Sequence, residues 1–557
     1  MPFRATSARP LSVTVESAAA FASMFWVLSA NQRFFSVALE GRGSLEASTW
    51  AFAAGLTVLL FCLHYALLLL LANRWTLKPL LVLMLVSAAS GSWFIQAFNV
   101  YLDPTMLRNV LRTEVKEARE LFSAAMVVHL LLYAGIPLVL LSWVKLERRP
   151  WPQAFRARAI ALSLTVLVFT GLLLVLMQPL SSMMRNHKEM RYLITPANLI
   201  WSTSTVLVRD ARSAARPRQA LSADPVLASD GSSRPRVVVL VVGETARAAN
   251  WGLSGYARNT TPELERLNAL NFAEVTSCGT NTETSLPCMF APVGRRDYDE
   301  DRIRGSESLL HLVARAGVKV HWRDNQSGCK GVCEGLPQDE VQSLNPAGLC
   351  SGDQCLDEGL LSGLELRLAR SVQEGGTHLW VFHMLGNHGP AYYRRYPPAF
   401  DRFQPTCRND DLGQCSREEI VNAYDNALLY TDHVLSELIA TLQAQASSVD
   451  SSLLYVSDHG ESLGEKGLFL HGIPYAIAPT EQTRVPMVMW WSAGWAAREG
   501  LDEACLRGRA ARPASHDHLF HTLLSLLRVN AREQEREWDL LAGCQPVRGD
   551  ARPPSKP

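Results

Sequence analysis

The sequence predicts a two-part protein: an α-helical membrane domain followed by a soluble α/β domain with a mostly parallel sheet covered by helices. Three observations carry that prediction. Four charge-free apolar runs fall near 49–72, 79–99, 121–144 and 159–180. Each is long enough to cross a hydrocarbon core, which takes about 20 helical residues. Beyond them, strand-like apolar runs alternate with helical patterns, as in sheets covered by helices. Finally, every cysteine except Cys62 lies in that second part.

A weaker run near 14–35 is charge-free only from Ser17 to Gln32, with Glu16 and Arg33 at its edges. It is counted as the first of five spans. A cleaved leader is the alternative, but no small-residue cleavage site follows 21–28. The loop between the fourth and fifth spans carries Lys145, Arg148, Arg149, Arg156 and Arg158, and that between the second and third carries Arg74 and Lys78. Both are cytoplasmic under the positive-inside rule, so everything after Leu180 faces outward. His64 and His129 lie within spans and read as buried, hydrogen-bonded groups.

Asp103-Pro104 starts a helix on which Asn109, Thr113 and Glu117 share one face, at i, i+4 and i+8. Arg108, Arg112, Lys116 and Arg119 form a basic stripe beside it. This reads as an amphipathic segment at the outer membrane face, with a solvated helix as the alternative. Basic residues from Arg209 to Arg218 read as a linker near anionic headgroups. The expected division is a membrane domain over 1–180, a linker and bridging segment over 181–234, a catalytic domain over 235–547 and a tail over 548–557.

The soluble part opens on Arg-Val-Val-Val-Leu-Val-Val at 236–242, typical of a strand buried on both faces. Further strands are expected at 318–322, 378–384, 452–456 and 484–490, with helices at 262–270, 306–316, 356–371, 417–444 and 516–527. The net charge of +1 gives no sign of nucleic-acid binding, which needs a strongly basic face. Ten exported cysteines, mostly in close pairs, read as disulfides. A structural zinc site from Cys329, Cys333, Cys350 and Cys355 is the competing reading.

Glu244 follows the first strand, His388 the third, and Asp458-His459 the fourth. Sites in open α/β sheets form outside the carboxyl ends of strands, so these motifs are expected to converge. Zinc takes carboxylate and imidazole ligands. Glu244, Asp458 and His459 would be three ligands and the Thr282 oxygen a fourth, its hydroxyl activated by the metal. Thr282 also precedes a short helix expected at 283–285, where a helix N-cap is its bland reading. Lys330, His388 and His471 are candidates for holding a substrate phosphate and protonating a leaving oxygen. His388 and His471 are alternatively a second zinc site, and Glu461 is a candidate to orient a ligand.

Val-Gly-Glu-Thr-Ala-Arg at 242–247, Ser-Cys-Gly-Thr-Asn-Thr-Glu-Thr-Ser-Leu-Pro-Cys at 277–288, Gly-Asn-His-Gly-Pro at 386–390 and Val-Ser-Asp-His-Gly-Glu at 456–461 resemble the phosphoethanolamine transferases. The likeness is to the lipid A group that includes the mobile colistin-resistance enzymes, and it covers nearly the whole chain. The resemblance implies an alkaline-phosphatase-like domain on the periplasmic side of a Gram-negative inner membrane. It implies Thr282 as nucleophile and Glu244, Thr282, Asp458 and His459 as zinc ligands. Lys330, His388, His471, Asn109, Thr113 and Glu117 match substrate-binding positions. It also implies the disulfides Cys278–Cys288, Cys329–Cys333, Cys350–Cys355 and Cys407–Cys415, and leaves the pairing of Cys505 with Cys544 open. Glu283 departs from the family pattern, which has small or uncharged residues there.

The expected reaction moves phosphoethanolamine from phosphatidylethanolamine to a phosphate of lipid A, in a monomer, giving resistance to polymyxins such as colistin. The alternatives are an acceptor in the lipopolysaccharide core or a periplasmic glucan, a metal-dependent phosphatase or sulfatase, and a catalytically dead sensor.

Overall fold

The apolar runs fold as helices Ala47–Leu71, Leu77–Phe98, Ala124–Trp143 and Trp151–Val175, the four among the described residues that are long and apolar enough to cross a membrane. The first expected span is shorter. Its helix, Val15–Ser29, has 15 residues, about 22 Å at 1.5 Å per residue against a core of about 30 Å. It is nonetheless part of the bundle: Val15, Ala19 and Trp26 are buried with Leu68, Leu77, Leu81 and Leu85. In this computed structural model the described residues are 11–546, apart from positions 41, 44, 45, 114, 215, 216, 230 and 353. The tail expected over 548–557 lies outside them.

Two units result, one of residues 1–107 with 122–207 and the other of 108–121 with 208–557. The segment after Asp103-Pro104 therefore divides, and its part from Arg108 onward belongs to the soluble unit. It is two helices, Pro104–Arg112 and Val115–Glu120, with Thr113 between them. Asn109, Thr113 and Glu117 thus do not line one continuous helix. Thr113 Oγ1 donates to the Asn109 carbonyl at 2.8 Å, a back-bond that competes with regular helix.

The soluble unit is built on a seven-stranded sheet. In chain order its strands are β1 (Arg236–Gly243), β2 (Leu270–Asn271), β3 (Lys319–Asp324), β4 (Gln338–Glu340), β5 (Thr377–His383), β6 (Asp450–Ser457) and β7 (Met487–Trp491). Their order across the sheet is β2-β7-β6-β1-β5-β3-β4. The run from β6 to β4 is parallel, while β7 pairs antiparallel with β6 and β2. Every residue of β1, β5 and β6 is buried, which explains the unbroken apolar run of β1, while β5 and β6 also bury polar residues at their amino ends, Thr377, His378, Asp450, Ser451 and Ser452. One core packs around Val238, Leu240 and Val242 and another around Val237, Val239 and Val241, so helices cover both faces.

The expected strand over 484–490 is two strands in different sheets. Pro486, which has no N–H for a ladder, separates Arg484–Val485 from β7. The expected helix over 356–371 also breaks. Gly363 takes φ 69° between a short 3-10 turn, Asp357–Leu361, and the helix Leu364–Glu374. The long helix Arg417–Ala444 forms as expected and begins with a reciprocal capping box between Ser416 and Glu419.

All ten cysteines of the soluble unit pair: Cys278–Cys288, Cys329–Cys333, Cys350–Cys355, Cys407–Cys415 and Cys505–Cys544. Four close short loops, and the fifth closes 39 residues. Loop-closure entropy gives the longest loop the largest effect, about 3–4 kcal/mol. Replacing Cys505 and Cys544 together by serine is expected to lower the apparent unfolding temperature of the full chain more than the same change at Cys350 and Cys355. Equal shifts would contradict the loop-length argument.

Candidate functional site

β6, β1 and β5 are neighbours, and their carboxyl ends lie side by side: Ser457 pairs with Gly243, and His383 with Val242. Glu244 is the residue after β1, and Asp458 and His459 follow β6. All three are fully buried. Thr245 has φ 61°, a left-handed value that is costly for a β-branched residue. Three contacts hold it: its N–H donates to Asp458 Oδ1 at 3.2 Å, its hydroxyl to Glu244 Oε1 at 2.6 Å, and Tyr424 donates to its carbonyl at 2.7 Å. These contacts fix Glu244 against Asp458.

Gly386 closes the site from the β5 side. It has φ 53°, and a Cβ there would lie 2.6 Å from the Glu244 carbonyl oxygen, so only glycine fits. The loop that follows carries His388.

Thr282 is the first residue of helix Thr282–Met289. Its N-cap is Asn281, whose side chain accepts from the Thr284 N–H at 2.9 Å. The threonine hydroxyl is therefore free of the capping role. It donates to Glu244 at 3.0 and 3.2 Å and lies 3.4 Å from His459 Nε2. The helix runs to Met289 with Pro287 inside it, longer than the single turn expected at 283–285.

Glu244, Asp458 and His459 place ligand atoms within 4.8 Å of one another. Asp458 Oδ2 accepts no hydrogen bond among the described residues. Burial and the charge of Glu244 push the Asp458 carboxyl up to about 6. Burial opposes charge on His459, but Asp458 and Glu244 outweigh it and push the imidazole up to about 10. For Glu244, burial acts upward and the bond and charge of His459 more than offset it, so the carboxyl lies well below the usual range. Two buried carboxylates drawing positive charge toward an unsatisfied oxygen fit a divalent cation, and this donor set suits zinc.

A second cluster adjoins the first. His459, Glu461 and His471 also place ligand atoms within 4.8 Å of one another. Glu461 Oε2 bonds His471 Nδ1 at 2.8 Å, and the buried Tyr392 hydroxyl donates to Glu461 Oε1 at 2.6 Å. Burial lowers the His471 pKa and the charge of His459 adds to that, while Glu461 opposes it. The rings of His388 and His471 are 5.8 Å apart, and His388 Nδ1 has no hydrogen-bond partner among the described residues.

Lys330 sits between Cys329 and Cys333 with φ 48°. Its ammonium donates to Ser327 O at 2.8 Å and Ser327 Oγ at 2.7 Å. It lines a cavity of about 800 Å³ whose wall also includes Glu283, the neighbour of Thr282. Asn109 and Thr113 make no hydrogen bond to the Glu244 cluster among the described residues, and the Glu117 side chain lies outside them.

Sequence reasoning did not anticipate His383. It is the last residue of β5, fully buried, with Nδ1 2.7 Å from Asp324 Oδ1 and Nε2 without a hydrogen bond among the described residues. Burial lowers its pKa, but the Asp324 charge and bond more than offset this, with Glu244 and Asp458 adding to the rise. The available signal was a histidine directly after the apolar run 379–382 of that strand. Tyr392 was also missed.

Comparisons with known proteins agree over most of the chain. A family model described as Sulfatase matches residues 236–529, and one described as Phosphoethanolamine transferase EptA/EptB matches residues 60–211. The chain is similar to phosphoethanolamine transferase EptA of Escherichia coli strain K12, 36% identical over 85% of this chain and 86% of that protein. It is equally similar to phosphatidylethanolamine transferase Mcr-1 of Escherichia coli, 36% identical over 87% of this chain and 90% of that one. The solved integral membrane lipooligosaccharide phosphoethanolamine transferase A of Neisseria meningitidis matches with a TM-score of 0.92. It is 38% identical, over 96% of this chain and 100% of that one.

Proposed function

The chain belongs to the phosphoethanolamine transferase family, and on that premise we propose that it transfers phosphoethanolamine from phosphatidylethanolamine to a phosphate of lipid A through a covalent intermediate on Thr282. It is a multi-pass inner-membrane protein with its sulfatase-like domain in the periplasm. The observation that carries the reading is the Thr282 hydroxyl donating into the buried Glu244–Asp458–His459 cluster, clear of the helix cap. In this reading Glu244, Asp458, His459 and the Thr282 oxygen hold zinc. Bound zinc supplies Lewis acidity that lowers the hydroxyl pKa and balances charge on phosphoryl oxygens.

Glu244 orients the Thr282 oxygen and is placed to receive its proton. That oxygen forms a bond to phosphorus, and the bond from phosphorus to the glycerol oxygen breaks. His388 or His471 gives the proton that the departing diacylglycerol needs, and Lys330 balances phosphate charge. In the second half-reaction a lipid A phosphate hydroxyl gives its proton back to that histidine and its oxygen bonds to the same phosphorus. Thr282 leaves and regains its proton. Asn109, Thr113 and Glu117 serve the donor headgroup. A second zinc at His388 and His471 would add Glu461 as a ligand. The reading takes the chain as a monomer.

The product carries an ammonium beside its phosphate. Polybasic peptides then lose attraction worth about 1 kcal/mol per basic group near an anionic surface. Expression in a polymyxin-sensitive host is expected to raise the inhibitory concentration and add a phosphoethanolamine mass to lipid A. A mass gain on core sugars or glucan instead would move the acceptor. Free phosphoethanolamine alone would make the protein a hydrolase.

Tyr392→Phe removes the donor to Glu461 and loosens His471. It is expected to lower kcat/KM about tenfold, in line with losing a hydrogen bond to a charged group. Unchanged turnover by the purified variant would remove Tyr392 and Glu461 from the account.

A further inference from the structure

We propose that residues 108–120 form a strap fastened at both ends to the catalytic domain by ion pairs, and that Glu283 and Arg395 are the positioning residues that fasten it. This rests on the reading that Thr282 is the nucleophile and His388 a substrate-binding group.

The first fastening is beside Thr282. Arg108 is buried and pairs with Glu300 and, at 3.1 Å, with Asp210. Arg112 pairs with Asp210 at 3.0 Å and with Glu283. Glu283 is 1% exposed and belongs to the first turn of the helix that Thr282 begins. Arg304 also reaches it, bonding Oε1 at 3.0 Å and the Glu283 carbonyl at 2.7 Å. A carboxylate this deeply buried is costly unless cations and hydrogen bonds satisfy it. Here the two cations come from different elements and meet on one oxygen, Oε1, while Oε2 has no hydrogen bond among the described residues, so the Arg112 pair seats the strap on the nucleophile's helix.

The second fastening is beside His388. Glu120 is buried and pairs with Arg395, and Gln354 donates to its other oxygen. Arg395 Nε donates to the His388 carbonyl at 2.7 Å. One planar guanidinium therefore holds both the end of the strap and the backbone of His388, a geometry lysine does not reproduce. Asn109 lies within the first fastening, and Thr113 lies between the two.

Two fixed points set both the distance and the orientation of a segment, whereas one leaves it free to swing. Glu283 acts on the strap through Arg112 and Arg395 through Glu120, so their effect falls on donor binding more than on the chemical step. This assigns the acidic residue beside the nucleophile to the strap and not to the ethanolamine ammonium.

The test compares the full-length protein in detergent with Arg112→Gln, Glu283→Gln and the double variant, using phosphatidylethanolamine as donor. Arg112 is the half-exposed partner, and its loss leaves Glu283 paired with Arg304, so that variant folds. Each single change is expected to raise KM roughly tenfold, equivalent to about 1.4 kcal/mol, with kcat little altered. The double variant is expected to be no worse than the worse single, because both changes break one contact. Arg395→Lys should raise KM as Arg395→Gln does. An unchanged KM in Arg112→Gln, or multiplied effects in the double variant, would overturn the strap. So would an effect confined to Glu283→Gln, which would place the ammonium there. Amide exchange over 108–120 reads the strap independently of turnover. Faster exchange is expected in both single variants, and unchanged exchange contradicts the proposal. A wild-type enzyme that never modifies Thr282 would sink the functional reading, while exchange would still judge the strap.

Discussion

Replacing Thr282 by alanine is expected to abolish transfer while leaving the fold intact. Losing a covalent nucleophile costs many orders of magnitude, on the order of 10⁴-fold or more. The structural cost is small. The helix is capped by Asn281, so its N-terminus keeps its partner, and the lost hydroxyl bonds only the site it serves. Lipid A from cells making the variant should lack the phosphoethanolamine increment, and the purified variant should keep its zinc. A variant that still modifies lipid A would assign the nucleophile elsewhere.

The second large effect is expected at the metal. Asp458→Asn removes a charge from a site where Asp458 Oδ2 has no hydrogen bond among the described residues and lies 3.4 Å from His459 Nε2. The amide replaces an anionic ligand with a neutral one. Zinc affinity should fall by more than the roughly 10–100-fold that changes at a metal's outer partners cost. Removal of metal by a strong chelator should silence the wild type, and added zinc should restore it. Retention of full zinc by Asp458→Asn, measured on protein of normal unfolding temperature, would remove Asp458 from the ligand set. Activity that survives complete metal removal would remove zinc from the mechanism.

The parallel sheet was legible because its central strands are buried on both faces and carry apolar runs, 237–242, 379–382 and 453–456. Glu244 and Asp458 stood out for the same reason: each is the first charged residue after such a run. Signals for the breaks at Gly363 and Pro486 were present in the sequence, since glycine and proline are the residues that interrupt helices and strands. Apolar periodicity over the flanking residues outweighed them. The helix read through 104–120 was drawn from its Asp103-Pro104 start and the i, i+4, i+8 spacing, neither of which registers the back-bond from Thr113 to Asn109.

Other features had no local signature. The partner of Glu120 is 275 residues away, and that of Glu283 on the strap is 171 away. Arg209 and Arg218 suggested anionic headgroups, and Arg108 and Arg112 a basic stripe at the outer membrane face. In the structure they pair with Asp210, Glu283, Glu300 and Glu334 of the soluble unit. A basic stripe reveals its charge and not its partner. His383 was hidden because a histidine ending an apolar strand looks like core until Asp324 is brought beside it.

The measurement that tests the central claim most directly traps the first half-reaction. Purified wild-type protein would be incubated with phosphatidylethanolamine and no acceptor, then quenched, digested and examined by mass spectrometry. The account predicts one phosphoethanolamine group on Thr282, in the peptide bridged by Cys278 and Cys288, together with released diacylglycerol. Consumption of the donor with Thr282 unmodified, or the group found on another residue, would contradict it.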